Sequence, residues 1–202
     1  NGKELVLHYS TATGCWTMGL SAPERAAVDE ALKEARRQIA FLTANDITKG
    51  ALSDMFDAYF GFWQSIEEAS VAKVKSVFGA LHADMVGSNR CRLIMAPPGA
   101  RAGARATGRD TLAFVRATTF PKEKGAMIFL GKEFFNGKKS VKDRAATLIH
   151  EATHYFADTV DEDENGTEAN CYGDKNCRRM AELVNDPKHG SKALKAVLNN
   201  AE

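Results

Sequence analysis

The chain has 202 residues, 27 Lys and Arg against 26 Asp and Glu for a net charge of +1, and 44% hydrophobic residues. That balance excludes the basic face needed for non-specific nucleic-acid binding, and no run approaches the roughly 18 apolar residues of a membrane-spanning helix. The apolar content is too high for intrinsic disorder, and the length suits one domain over 1–202, or at most two small ones, with a sizeable core.

Residues 4–9 read as a short strand. Ser21-Ala22-Pro23-Glu24 then forms a capping box with Pro in the first turn. Behind it Val28, Leu32, Ala35, Ile39 and Leu42 recur at helical spacing, which predicts a helix to about Asn45. A second helix is expected from about Lys49 to Phe60 and a third from about Ile66 to Met85. The aromatic cluster Phe56, Tyr59, Phe60, Phe62 and Trp63 reads as core packing between helices. Residues 91–95, 112–119 and 126–130 read as strands, and the small, basic stretch 100–109 between them as a loop. Ser140 caps a helix with Asp143 at its positive end. A dense acidic run follows, with Asp158, Asp161, Glu162, Asp163 and Glu164. Thr167 is expected to cap a helix to about Val184, and residues 191–200 form a last short one.

The four cysteines, Cys15, Cys91, Cys171 and Cys177, lack zinc-knuckle spacing. Four thiols, or two bridges in an exported protein, both fit. The chain opens Asn1-Gly2-Lys3 with no basic-then-apolar leader. It reads as a mature form, or as a domain excised from something longer.

Chemistry concentrates in the helix that begins at Ser140. It carries His150-Glu151-Ala152-Thr153-His154, an HExxH motif. Residues four apart on a helix share a face, so both imidazoles can hold one zinc ion. Glu151 beside them can act as general base on a zinc-activated water. Only five histidines exist in the chain, and two fall at this spacing. The acidic run just beyond can supply a third ligand. His8, His82 and His189 have no partner at ligand spacing.

The chain resembles the deuterolysin-type aspzincins, the group that includes the lysine-specific metalloendopeptidases. Beyond His150–His154, the likeness includes Tyr9 through Cys15 with the Ser21 helix, Phe56-Asp57-Ala58-Tyr59-Phe60-Gly61, Ala126–Leu130 with Phe134-Phe135, and Tyr172-Gly173 with Cys177. The resemblance implies an α+β, zincin-like fold, with a helical N-terminal half, a small sheet and the HExxH helix beneath the cleft. It implies one catalytic zinc, Tyr172 as oxyanion donor and cleavage beside Lys.

One departure matters. The family carries Gly-Thr-x-Asp-x-x-Tyr-Gly, whose Asp binds zinc. Aligned without gaps, Gly166-Thr167-Glu168-Ala169-Asn170-Cys171-Tyr172-Gly173 places Ala169 there, and Ala cannot bind metal. Asp161 is the expected third ligand, because Thr159-Val160-Asp161 resembles a Thr-x-Asp turn of bacterial-type relatives. Glu168, four before Tyr172, is the alternative, and Asp163 a further one.

The expected function is a zinc endopeptidase acting on protein or peptide substrates, exported as a degradative protease or delivered as a toxin. The latter would bring an immunity or inhibitor protein as partner. Two rivals stand beside it: a binding module on a decayed zincin scaffold, and a hydrolase of non-peptide amides or esters.

Overall fold

The structure is a computed structural model that describes residues 6–61, 68–86, 93–96, 113–115, 126–167, 171 and 173–199. In chain order these form β1 (Leu7–Tyr9), β2 (Trp16–Met18), α1 (Ala22–Ala44), α2 (Gly50–Phe60) and α3 (Glu68–Leu81). There follow β3 (Leu93–Ala96), β4 (Ala113–Val115), β5 (Ala126–Leu130), α4 (Val141–Ala157), α5 (Asp174–Leu183) and α6 (Gly190–Asn199). The class is α+β, as the sequence predicts. No helix among the described residues is long and apolar enough to cross a membrane. The chain divides into two compact units, residues 1–40 with 81–156 and residues 41–80 with 157–202.

The first unit is built on a five-stranded sheet in the order β1-β2-β3-β5-β4. The β2–β3 and β3–β5 pairs are parallel, while the outer pairs β1–β2 and β4–β5 are antiparallel. Its central strands are buried, with Met95, Ala96, Ile128, Phe129 and Leu130 at 1% exposure or less. Strands enclosed in this way read as unbroken apolar runs, which is why Ala126–Leu130 was legible and matches β5 end to end. The sequence did not reveal β2, whose Trp-Thr-Met is too short to show a period.

Helix α1 starts as predicted: the Ser21 backbone N–H and hydroxyl both donate to Glu24 at 2.7 Å. Its Asp29 accepts from Ser10 and Thr13 at 2.8 Å each, which ties the helix to the β1–β2 connection. Cys15 in that connection is buried and disulfide-bonded. Cys171 and Cys177 carry thiols, so the cysteines match neither four thiols nor two bridges. Cys91, the basic stretch 100–109, and Phe62 and Trp63 lie outside the described residues.

The second unit is helical. Ile47, Phe56, Val71 and Val74 form one apolar cluster, joined by Phe60, Phe78, Leu194 and Leu198. Met180, Ala196 and Val197 form another around Phe60 and Val184. The Phe56 and Phe60 rings stack with centroids 4.6 Å apart, so these members of the aromatic run are core. Tyr59 donates to Asp174, and Arg178 both pairs with Asp174 and lies over the Tyr59 ring, which clips α2 to the first turn of α5.

Two boundaries differ from expectation. The third helix gives way at His82 to a π-helical turn, His82–Val86. The helix expected from Thr167 begins only at Asp174, after an N-cap at Gly173. Thr167 does not cap it, because its N–H and hydroxyl both turn back to Asp163 at 3.0 Å.

Candidate metal centre

The centre is assembled on α4. Ser140 and Asp143 form a reciprocal box: the Ser140 N–H and hydroxyl donate to the carboxylate at 2.8 Å, and the Asp143 N–H donates back at 3.1 Å. These bonds hold the Asp143 carboxyl below its usual range, so it stays charged at the positive end of the helix. One turn on, Arg144 donates to the Phe134 and Asn136 carbonyls at 2.8 and 3.2 Å. Ala145, Leu148, Ala152 and Tyr155 make the buried stripe. At 100° per residue, His150 and His154 lie well away from that stripe.

Both histidines are half-buried, and their rings meet edge to face. Their Nε2 atoms are 3.2 Å apart. Two ligands on one tetrahedral zinc, at roughly 2.0–2.1 Å each, lie about 3.4 Å apart. The ring pair therefore fits zinc. Thr153 donates its hydroxyl to the His150 carbonyl at 2.8 Å, which seals this turn of the helix. Glu151, between the histidines in sequence, is 5% exposed.

The third member comes from the loop that leaves the helix. Asp158 has φ +54°, a left-handed conformation that an aspartate tolerates better than most side chains. It ends α4 and turns the chain. Four residues past the last residue of α4, Asp161 offers a carboxylate oxygen that lies, with one nitrogen each from His150 and His154, in a group whose atoms are all within 4.8 Å of one another. Two neutral imidazoles and one carboxylate are the donor set of a catalytic zinc with an open position. The group is a local feature of one helix end and the loop after it.

The structure thus brings together His150, His154 and Asp161. Glu168, Ala169 and Tyr172 lie outside the described residues. Asp163 is turned into its own loop, accepting from Asn165 and Thr167.

A family model described as lysine-specific metallo-endopeptidase, the aspzincins, matches residues 48–196. The chain belongs to this family. It is a zinc metalloendopeptidase, zinc is its cofactor, and peptides are its substrates. The match runs from α2 into α6 and includes the whole His-His-Asp group. It begins after β1, β2 and α1, so the likeness seen around Tyr9–Cys15 lies outside the matched stretch. No curated protein matches the chain.

Sequence reasoning passed over the supports of the Asp161 loop. Glu164 receives two bonds from Arg179, both 2.8 Å, which hold its carboxyl below the usual glutamate range. The Val160 N–H donates to the Asn199 carbonyl at the end of α6, 2.8 Å away. The Asp163–Asn165–Thr167 spacing was the available signal, since such residues close local side-chain turns.

Proposed function

We propose that this aspzincin is an exported endopeptidase in which His150, His154 and Asp161 hold the zinc and Glu151 is the general base. The convergence of one nitrogen from each histidine and one Asp161 oxygen carries the reading. Zinc, when bound there, supplies the Lewis acidity that brings the pKa of water down toward about 7. Glu151 takes the proton of the attacking water and passes it to the leaving amine nitrogen. Its place on α4 between the two histidines supports that role. Tyr172 donates its hydroxyl to the oxyanion that develops on the substrate carbonyl.

The reading extends to cleavage beside Lys, on the strength of the family's description. The bridge at Cys15 suits an oxidising compartment, hence export, or delivery into a target cell as a toxin with its own immunity protein.

Glu151→Gln tests the reading. The variant keeps one zinc per chain and loses at least about a hundredfold in kcat on a Lys-containing peptide. Zinc-loaded wild type that cleaves nothing across a broad peptide library would instead favour a binding module. Turnover confined to small amides or esters would point to the non-peptide hydrolase.

A further inference from the structure

The Asp161 loop is anchored on both sides of the proposed ligand. Before it, the Val160 N–H is fixed to the last turn of α6 through Asn199. After it, Glu164 is fixed to α5 through Arg179, and the Glu164 side chain is only 11% exposed. Between these anchors Asp163 is 2% exposed, an unusual burial for a carboxylate. It accepts from the Asn165 N–H at 2.9 Å, the Thr167 N–H at 3.0 Å and the Thr167 hydroxyl at 3.0 Å. Its backbone closes the same turn: its N–H donates to the Thr167 carbonyl at 2.8 Å, and its carbonyl accepts from Gly166 at 2.9 Å. Five bonds from one residue thus knot 163–167 into a rigid turn.

We propose that Asp163 is a positioning residue for zinc: it acts through Asp161, two residues away, and does not itself bind the metal. A loop ligand binds tightly only if its backbone is already in place when the ion arrives. Asp158 and Val160 fix the loop where it enters, but a chain free after Asp161 would let that carboxylate swing. The knot removes this freedom. The same bonds give two members of the acidic run a structural role: Asp163 serves the turn and Glu164 pairs with Arg179. The proposal rests on the reading of Asp161 as third ligand.

Zinc affinity of the full chain, measured by chelator competition well below the melting temperature, tests it. Asp163→Ala weakens zinc binding about 10–100-fold, the scale of outer-shell losses. Asp163→Asn stays within about threefold of wild type, because the amide oxygen still accepts both N–H groups while being a poor zinc ligand. Affinity of Asp163→Ala within twofold of wild type overturns the proposal. So does Asp163→Asn as weak as Asp163→Ala, which would mark Asp163 as a direct ligand. If Asp163→Ala does not fold, Thr167→Val carries the test by deleting one donor at an exposed position, with an expected loss of about three- to tenfold; unchanged affinity there overturns it too. A wild type without zinc would sink the ligand reading itself, whereas a zinc-binding wild type with an unaffected Asp163→Ala sinks only this inference.

Discussion

Gly61 closes α2 in a left-handed conformation, φ +74°, with its N–H donating to the Asp57 carbonyl at 3.0 Å and its own carbonyl accepting from Asn185 at 2.9 Å. A Cβ added there would sit 2.1 Å from the Ala181 carbonyl oxygen and 2.9 Å from the Val184 Cβ. The first neighbour is backbone, so α5 itself would have to move by more than 1 Å to restore a contact of 3.4 Å. The left-handed conformation costs an alanine about 1–2 kcal/mol, and overpacking adds about 1–3 kcal/mol. Lower entropy of the unfolded chain returns about 0.4–1 kcal/mol. Gly61→Ala should therefore destabilise the protein by about 2–4 kcal/mol. Gly50 is the control: its φ is +60°, but nothing lies within 4 Å of an added Cβ. Gly50→Ala meets only the conformational part, a net loss of about 0–1.6 kcal/mol. Urea titration of both variants measures the difference directly, and thermal melting should place Gly61→Ala about 4–16 °C below wild type. Equal midpoints for the two variants would refute the close-approach argument and leave the Gly of Phe56–Gly61 explained by backbone conformation alone.

Two further outcomes follow from the metal loop. Asp161→Ala should weaken zinc binding by at least about a hundredfold, or about 2.7 kcal/mol, while Glu168→Ala stays within about twofold; chelator competition on both variants checks the assignment, and the reverse pattern would move the third ligand to Glu168. The Glu164–Arg179 pair makes stability depend on pH, because Arg179 depresses the folded-state pKa of Glu164 below its ordinary value of about 4.5. A depressed carboxylate contributes its full stability above the unfolded pKa and loses it as pH falls through the folded value. The melting-temperature gap between wild type and Glu164→Gln, taken in metal-free protein, should reflect about 1 kcal/mol at pH 7 and shrink steadily below pH 4.5. A gap that persists unchanged to pH 3 would show that the pair does not hold the loop through charge.

Local sequence determined the parts of this protein whose physics is local. The Ser21–Glu24 and Ser140–Asp143 boxes place two helix starts, because cap and partner sit within one turn of each other. The apolar run 126–130 marks a central strand, and His150 and His154 share a helical face through spacing alone. Tertiary structure decided the remainder. Trp16–Met18 is a strand because it lies between β1 and β3, and three residues carry no period to announce it. The α5 start moved from Thr167 to Asp174 because the Thr167 donors found Asp163, a competition between two local turns that spacing cannot rank. The proposed third ligand, Asp161, belongs to the same kind. Five acids crowd residues 158–164, and composition gives each the same carboxylate. Asp161 meets the histidines from a loop that carries a left-handed turn at Asp158, a backbone bond to Asn199 and an ion pair to Arg179, contacts that exist only once the chain has folded.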